Sequence, residues 1–93
     1  MKLEHIRIEL RCAEGALRRV LGVIEARAFA VRSMQMGSDG DRSVMTLALE
    51  PADETRRIET LMRQLARLHD VEATLRLTNV PPPAREGIHA AAA

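Results

Sequence analysis

ALRRVLGVIEARAFAVRSMQM, Ala16 to Met36, joins two kinds of periodicity. Apolar residues recur at Leu17, Val20, Leu21, Ile24 and Ala28, the spacing of one helical stripe, with Arg18, Arg19, Glu25 and Arg27 outside it. Ala28 to Ala30 leaves almost no room to turn before Val31, and Met34 and Met36 then fall in the opposite phase from Val31. A helix that runs through a very short connection into a strand fits this pattern. A bulge, or a late start of regular pairing, would reconcile the two phases.

Upstream, Leu3 to Arg11 alternates Ile6, Ile8 and Leu10 against His5, Arg7, Glu9 and Arg11, which predicts a strand with one covered and one wetter face. The Ile6/Ile8/Leu10 side should meet the helix. Downstream, Gly37-Ser38-Asp39-Gly40-Asp41 is a concentrated turn signal. The next segment alternates Met45, Leu47 and Leu49 against Val44, Thr46 and Ala48, so the two strands flanking the turn read as a hairpin. Pro51 ends that strand, and Asp53 is the expected N-cap of a second helix with Glu54 at its positive end. Ile58, Leu61, Leu65 and Leu68, with Met62, form its buried stripe. A last strand alternates Val71, Ala73, Leu75 and Leu77 against Glu72, Thr74, Arg76 and Thr78.

The order β-α-β-β-α-β predicts an α+β, ferredoxin-like domain: a four-stranded antiparallel sheet in the spatial order 4-1-3-2, with both helices on one face. The opposite face, with His5, Arg7, Thr46 and Arg76, is expected to be solvated. The domain should occupy residues 1–79. The segment 80–93, with consecutive prolines and an alanine-rich end, is expected to be a flexible tail.

A chain of 93 residues buries a smaller fraction of its surface than a larger one, which favours association. Phe29 is its single aromatic residue, so the core must be aliphatic. A formal net charge of +1 with dispersed arginines gives no nucleic-acid footprint, and the central strands carry no rings on which bases could stack. No apolar run approaches the roughly 20 residues of a membrane span. One cysteine and an alternating N-terminus imply a cytoplasmic setting.

Catalytic and metal chemistry find little support. Cys12 is solitary and has no adjacent His or Lys to activate it, and His5, His69 and His89 are too scattered for a metal site. Asp39 and Asp41 lack the further oxygen ligands and distal glutamate of an EF-hand. The loop Cys12 to Ala16 does feed a helix N-terminus, where unpaired N–H groups could receive a carboxylate and Gly15 would permit close approach. A tight turn made possible by Gly15 is the simpler alternative.

The run EGALRRVLGVIEARAFAVRSMQM resembles the signature of ACT domains, above all those of the small regulatory subunits of acetolactate synthase. Leu17, Val20, Gly22, Arg27, Phe29, Val31, Ser33 and Met34 occupy matching places. The resemblance implies a regulatory subunit rather than an enzyme, paired side by side into a homodimer and bound to a catalytic large subunit. Thiamine diphosphate, FAD and magnesium would belong to that partner; this chain would carry no cofactor. It also implies an amino-acid effector pocket made of Cys12, Gly15, Ala16 and Leu17 from one chain with Ala30 and Val31 from the other. Cys12 and Ala30 stand where asparagines are usual in valine-binding relatives, and neither can both donate and accept as an amide does. Valine would therefore bind weakly or not at all. A free-standing ACT-type sensor of another protein is the alternative function. An acylphosphatase-like hydrolase on the same fold would need a phosphate-cradling loop with Arg and Asn, which CAEGA does not offer.

Overall fold

The computed structural model describes residues 2–77, so the expected tail over 80–93 lies outside the described residues. Six elements follow one another: β1 (Glu4–Arg11), α1 (Ala16–Ala26), β2 (Phe29–Asp39), β3 (Arg42–Pro51), α2 (Ile58–Ala66) and β4 (Val71–Leu77). The strands form one antiparallel sheet in the order β2-β3-β1-β4, which is the expected ferredoxin-like order viewed from the other edge.

Cross-strand pairs share a face of a sheet, so the register says what each face contains. Ile6, Ile8 and Leu10 pair with Leu47, Met45 and Ser43. Both helices cover this side: Val20 and Ile24 from α1, and Ile58, Leu61 and Leu65 from α2, close over it as one buried aliphatic core that Phe29 joins from the start of β2. The α1 stripe is rotated from its predicted position. Ala16, Val20 and Ile24 are buried, whereas Leu17 is 36% exposed and Ala28 has left the helix.

Ala28 ends α1 by adopting a left-handed conformation with φ 66, the one positive φ outside glycine among the described residues. Its amide donates to the Glu25 carbonyl (3.0 Å) and its own carbonyl accepts from Ala52 (2.9 Å), so the turn to β2 is pinned from both sides. Glycine is the usual residue at such a helix end, and a Cβ there costs about 1 kcal/mol. Ala28→Gly should therefore stabilise the domain by about 0.5–1 kcal/mol, the unfolded-chain entropy of glycine offsetting part of the gain. A lower thermal midpoint for this variant would refute the strain.

Two bulges set the phases of the outer strands. In β2, Val31 pairs with Leu49 and Ser33 with Ala48, leaving Arg32 as the extra residue; this is the bulge that the conflicting phases of Val31 and Met34 require. In β4 the structure corrects the predicted alternation. Val71 pairs with Leu10, but Ala73 pairs with Glu9, so Glu72 is the extra residue and the phase inverts after it. Ala73, Leu75 and Leu77 thus lie on the helix-free face, while Arg76 points to the helix side. There it donates to Glu59 of α2 (3.0 Å) and to Glu4 of β1 (3.0 Å).

The entry to α2 also differs from expectation. Asp53 is not its N-cap: its carboxylate accepts the amide (2.8 Å) and hydroxyl of Thr55, closing a local turn before the helix begins at Ile58 behind Arg57. Those hydrogen bonds, with Arg56 nearby, hold the Asp53 carboxyl below the usual carboxylate range. The β2–β3 hairpin is tighter than predicted, with pairing down to Asp39 and Arg42 and only Gly40-Asp41 between them. Gly40, at φ 66, supplies the positive φ that a two-residue hairpin turn needs.

Candidate functional site

The β1–α1 loop is built around Gly15, which precedes α1 at φ 80 with no side-chain cap. The positive φ calls for glycine, and a Cβ at this position would lie 2.9 Å from the Arg19 guanidinium and push that side-chain tip aside. Arg19 is held across the loop by three contacts. Its Nε donates to Asp70 (2.9 Å), Nη2 donates to the same carboxylate, and Nη2 also reaches the Glu14 carbonyl (3.1 Å). The loop backbone is tied as well, with Cys12 N donating to Asp41 (2.8 Å) and Ala16 N to Ala13 (3.0 Å).

Cys12 is exposed, and its thiol lies 2.8 Å from the Ser43 hydroxyl, which lies 3.2 Å from that of Ser38. A thiol and two hydroxyls therefore run from the β1–α1 loop under the sheet to the end of edge strand β2. Ser43 is buried, and Ser38 and Ser43 pair across the hairpin. Neither serine was among the predicted site residues. Ser43 does carry a signal, since it occupies the phase of Met45, Leu47 and Leu49, where an apolar residue is expected. Arg19 and Asp70 carry none, being 51 residues apart.

The predicted pocket residues fall into two groups within one chain. Cys12, Gly15, Ala16 and Leu17 lie where β1 ends. Ala30 pairs with Glu50 and Val31 with Leu49, and Leu49 pairs with Glu4 where β1 begins. A strand of eight residues separates the groups, about 25 Å. Ala30 borders an open cleft of about 470 Å³ shared with Ala28, Arg32 and Pro51. A larger cleft, of about 610 Å³, opens at the entrance to α2 among Lys2, Glu4, Arg57 and Arg76 and includes none of the predicted residues. No three His, Cys, Asp or Glu residues among those described are grouped to hold a metal ion, and none of the described helices is long and apolar enough to cross a membrane.

Fold and loop together define a ferredoxin-like module with a glycine turn at the entrance to its first helix. The chain belongs to the ACT domain family: the family model so described matches residues 12–74. ACT domains are regulatory modules, typically without catalysis of their own. No match emerges among curated proteins. Among solved structures, the chain is similar to the ACT domain of GTP pyrophosphokinase from Chlorobium tepidum, with 23% identity, TM-score 0.69, and coverage of 81% of this chain and 96% of that one. It is similar to the acetolactate synthase small subunit from Thermotoga maritima at 19% identity and TM-score 0.72, over 87% of this chain but only 50% of that one. A formyltetrahydrofolate deformylase from Burkholderia mallei shares the fold at 15% identity and TM-score 0.59, over 71% of this chain and 24% of that one. At these identities the likeness speaks for the fold alone.

Proposed function

We propose that the chain is a regulatory, activating small subunit of acetolactate synthase, acting in the cytoplasm as a homodimer bound to the catalytic large subunit. The observation that carries the dimer is the placement of β2. It is an edge strand, and Met34 and Met36 on its helix side are 41% and 44% exposed. Unpaired edges invite pairing with another chain. Antiparallel pairing of two β2 strands about Met34 sets Ala30 of one copy beside Ser38 of the other. That serine leads through Ser43 to Cys12, so such pairing brings the two separated groups of pocket residues together.

The assignment to acetolactate synthase draws on the Ala16–Met36 signature and on the fold shared with the Thermotoga small subunit. Mixing the full chain with a catalytic acetolactate synthase subunit from the same organism should raise the activity of that subunit several-fold. No activation and no co-elution would overturn the assignment. The alternative, a free-standing ACT-type sensor, draws on the likeness to the GTP pyrophosphokinase domain; capture of a different enzyme in place of the synthase subunit would favour it.

Valine should bind weakly, with Kd above about 1 mM, because Cys12 and Ala30 cannot replace paired amides. Restoring them with Cys12→Asn and Ala30→Asn should tighten binding by about tenfold or more. Calorimetry showing tight, stoichiometric heat for the wild-type chain would sink the weak-binding idea.

A further inference from the structure

Between the end of α1 and the entry to α2 lies a third cleft, of about 80 Å³, lined by the buried side chains of Phe29 and Leu61 and by Arg27, Arg56, Arg57 and Thr60, with Thr55 at its border. Every charged residue lining it is an arginine. The acids of the same elements line other clefts: Glu25 the one at Ala30, and Asp53, Glu54 and Glu59 the larger one at Arg76, which Arg56 and Arg57 also border. Glu59 is taken up by Arg76, and Arg56 approaches the Asp53 carboxylate only at 4.0 Å. Arg27 and Arg57 have no acidic partner among the described residues. One of the three arginines has a reason within its own helix, since Arg27 closes the negative end of α1, where a cation is favoured. Arg56 and Arg57 instead precede α2, whose start favours acids. Arg57 is its N-cap, a place where Ser, Thr, Asp or Asn is usual, and it makes no cap hydrogen bond. Like charge gathered in this way costs the fold unless an anion offsets it.

We propose that this cleft binds a phosphate group, with Arg27, Arg56 and Arg57 supplying the charge and Thr60 a neutral donor. Guanidiniums meet phosphate oxygens through paired, charge-assisted hydrogen bonds. The Thr60 hydroxyl oxygen accepts from Arg63 (3.3 Å), which leaves its hydrogen to be donated to a ligand. Thr55 adds no donor, because its amide and hydroxyl both donate to Asp53. Size and charge select among anions. A molecule of liquid water takes about 30 Å³, so the cleft has room for a few non-hydrogen atoms and none for a whole amino acid. A carboxylate brings one negative charge to three guanidiniums, whereas a phosphate group brings about −1.5 to −2 at pH 7. Phe29 and Leu61 give the cleft an apolar lining, in which these charges are less screened than in open water. A ligand held from both helices would brace the Ala28 turn that leads into β2. The site shares no residue with the effector pocket, and it does not rest on the assignment to acetolactate synthase.

The test is titration of the full chain with inorganic phosphate at constant ionic strength, followed by calorimetry and by the arginine Nε–H signals in NMR. The expected result is saturable one-to-one binding with Kd at or below about 1 mM, with shifts at Arg27, Arg56 and Arg57. Arg27→Gln and Arg57→Gln should each weaken it at least about tenfold, and Thr60→Val, which keeps all the charge, by about threefold or more. Arg67→Gln, at the far end of α2 and outside the cleft, should leave it unchanged. Unchanged circular dichroism shows that the variants fold. A phosphate monoester, glycerol 3-phosphate, distinguishes the sources of the group: equal affinity points to free phosphate and tighter binding to the phosphate of a larger metabolite, and both keep the site. No saturable binding of either probe would overturn it. Equal weakening by Arg67→Gln would do the same, since the arginines would then act as a diffuse positive surface. Acetate binding as tightly as phosphate would overturn the ligand class and give the cleft to the carboxylates of an acidic partner.

Discussion

Ile24→Ala should cost about 3–4 kcal/mol of unfolding free energy. Ile24 sits on α1 with no exposed surface, inside a cluster made almost wholly of Ile, Leu, Val and Met side chains. Truncation removes methyl groups from water-free contact and leaves a cavity, and buried Ile or Leu to Ala changes span about 2–5 kcal/mol. The value belongs above the low end for a local reason. The sheet beneath is fixed by its ladders, Ala16 holds one end of α1 down, and the pinned Ala28 turn holds the other, so the cavity cannot easily collapse. A domain of this length has about 5–14 kcal/mol in total, so much of it goes. Leu17→Ala is the contrast, since Leu17 is already partly in water. Urea unfolding with unchanged slope and a large midpoint shift for Ile24→Ala only is the expected observation. Equal shifts for the two variants would mean that the helix is rotated from the observed face.

The element order could be read from the chain because each change from period two to period 3.6 coincides with a boundary. The β2 bulge was legible for a similar reason: Val31 and Met34 cannot share a face without an extra residue between them. The β4 bulge was not. Val71, Ala73, Leu75 and Leu77 alternate cleanly, and nothing local says that the phase should invert at Glu72. The groups that select the inversion are distant in sequence: Arg76 meets Glu4 and Glu59, and Glu72 meets Arg11 and Arg42. Asp53 failed as a helix cap because Thr55 competes for the same carboxylate two residues on. In the candidate site, Gly15 was legible as a turn former, while the guanidinium that fills the space above it was not, since Arg19 reads as one more solvent-facing helix arginine. The thiol and hydroxyl string was half legible, through the misplaced polarity of Ser43.

Arg19→Ala should destabilise the domain by about 3 kcal/mol, more than Asp70→Ala, although both remove the same ion pair. The asymmetry follows from burial. The Asp70 side chain is 7% exposed and the Arg19 side chain 48%. Removing Asp70 leaves a guanidinium that water can solvate and that still reaches the Glu14 carbonyl, at a cost of about 1–2 kcal/mol. Removing Arg19 leaves a buried carboxylate without its partner, and breaking a buried pair in that way costs about 3–5 kcal/mol, discounted here because Arg19 is half in solvent. The consequences also travel in different directions. Asp70 lies at the entry to β4 and its carbonyl accepts the Arg11 amide (2.8 Å), a backbone contact that either substitution can keep. Arg19 spans Glu14 and Gly15, so its loss should free the β1–α1 loop, raising amide exchange at Glu14 and Gly15 beyond the increase that global destabilisation imposes. Asp70→Ala should raise exchange there less, because the guanidinium keeps one of its anchors on the loop. Equal destabilisation by the two substitutions, with equal exchange in the loop, would show that Arg19 ties the first turns of α1 to the entry of β4 without shaping the candidate site.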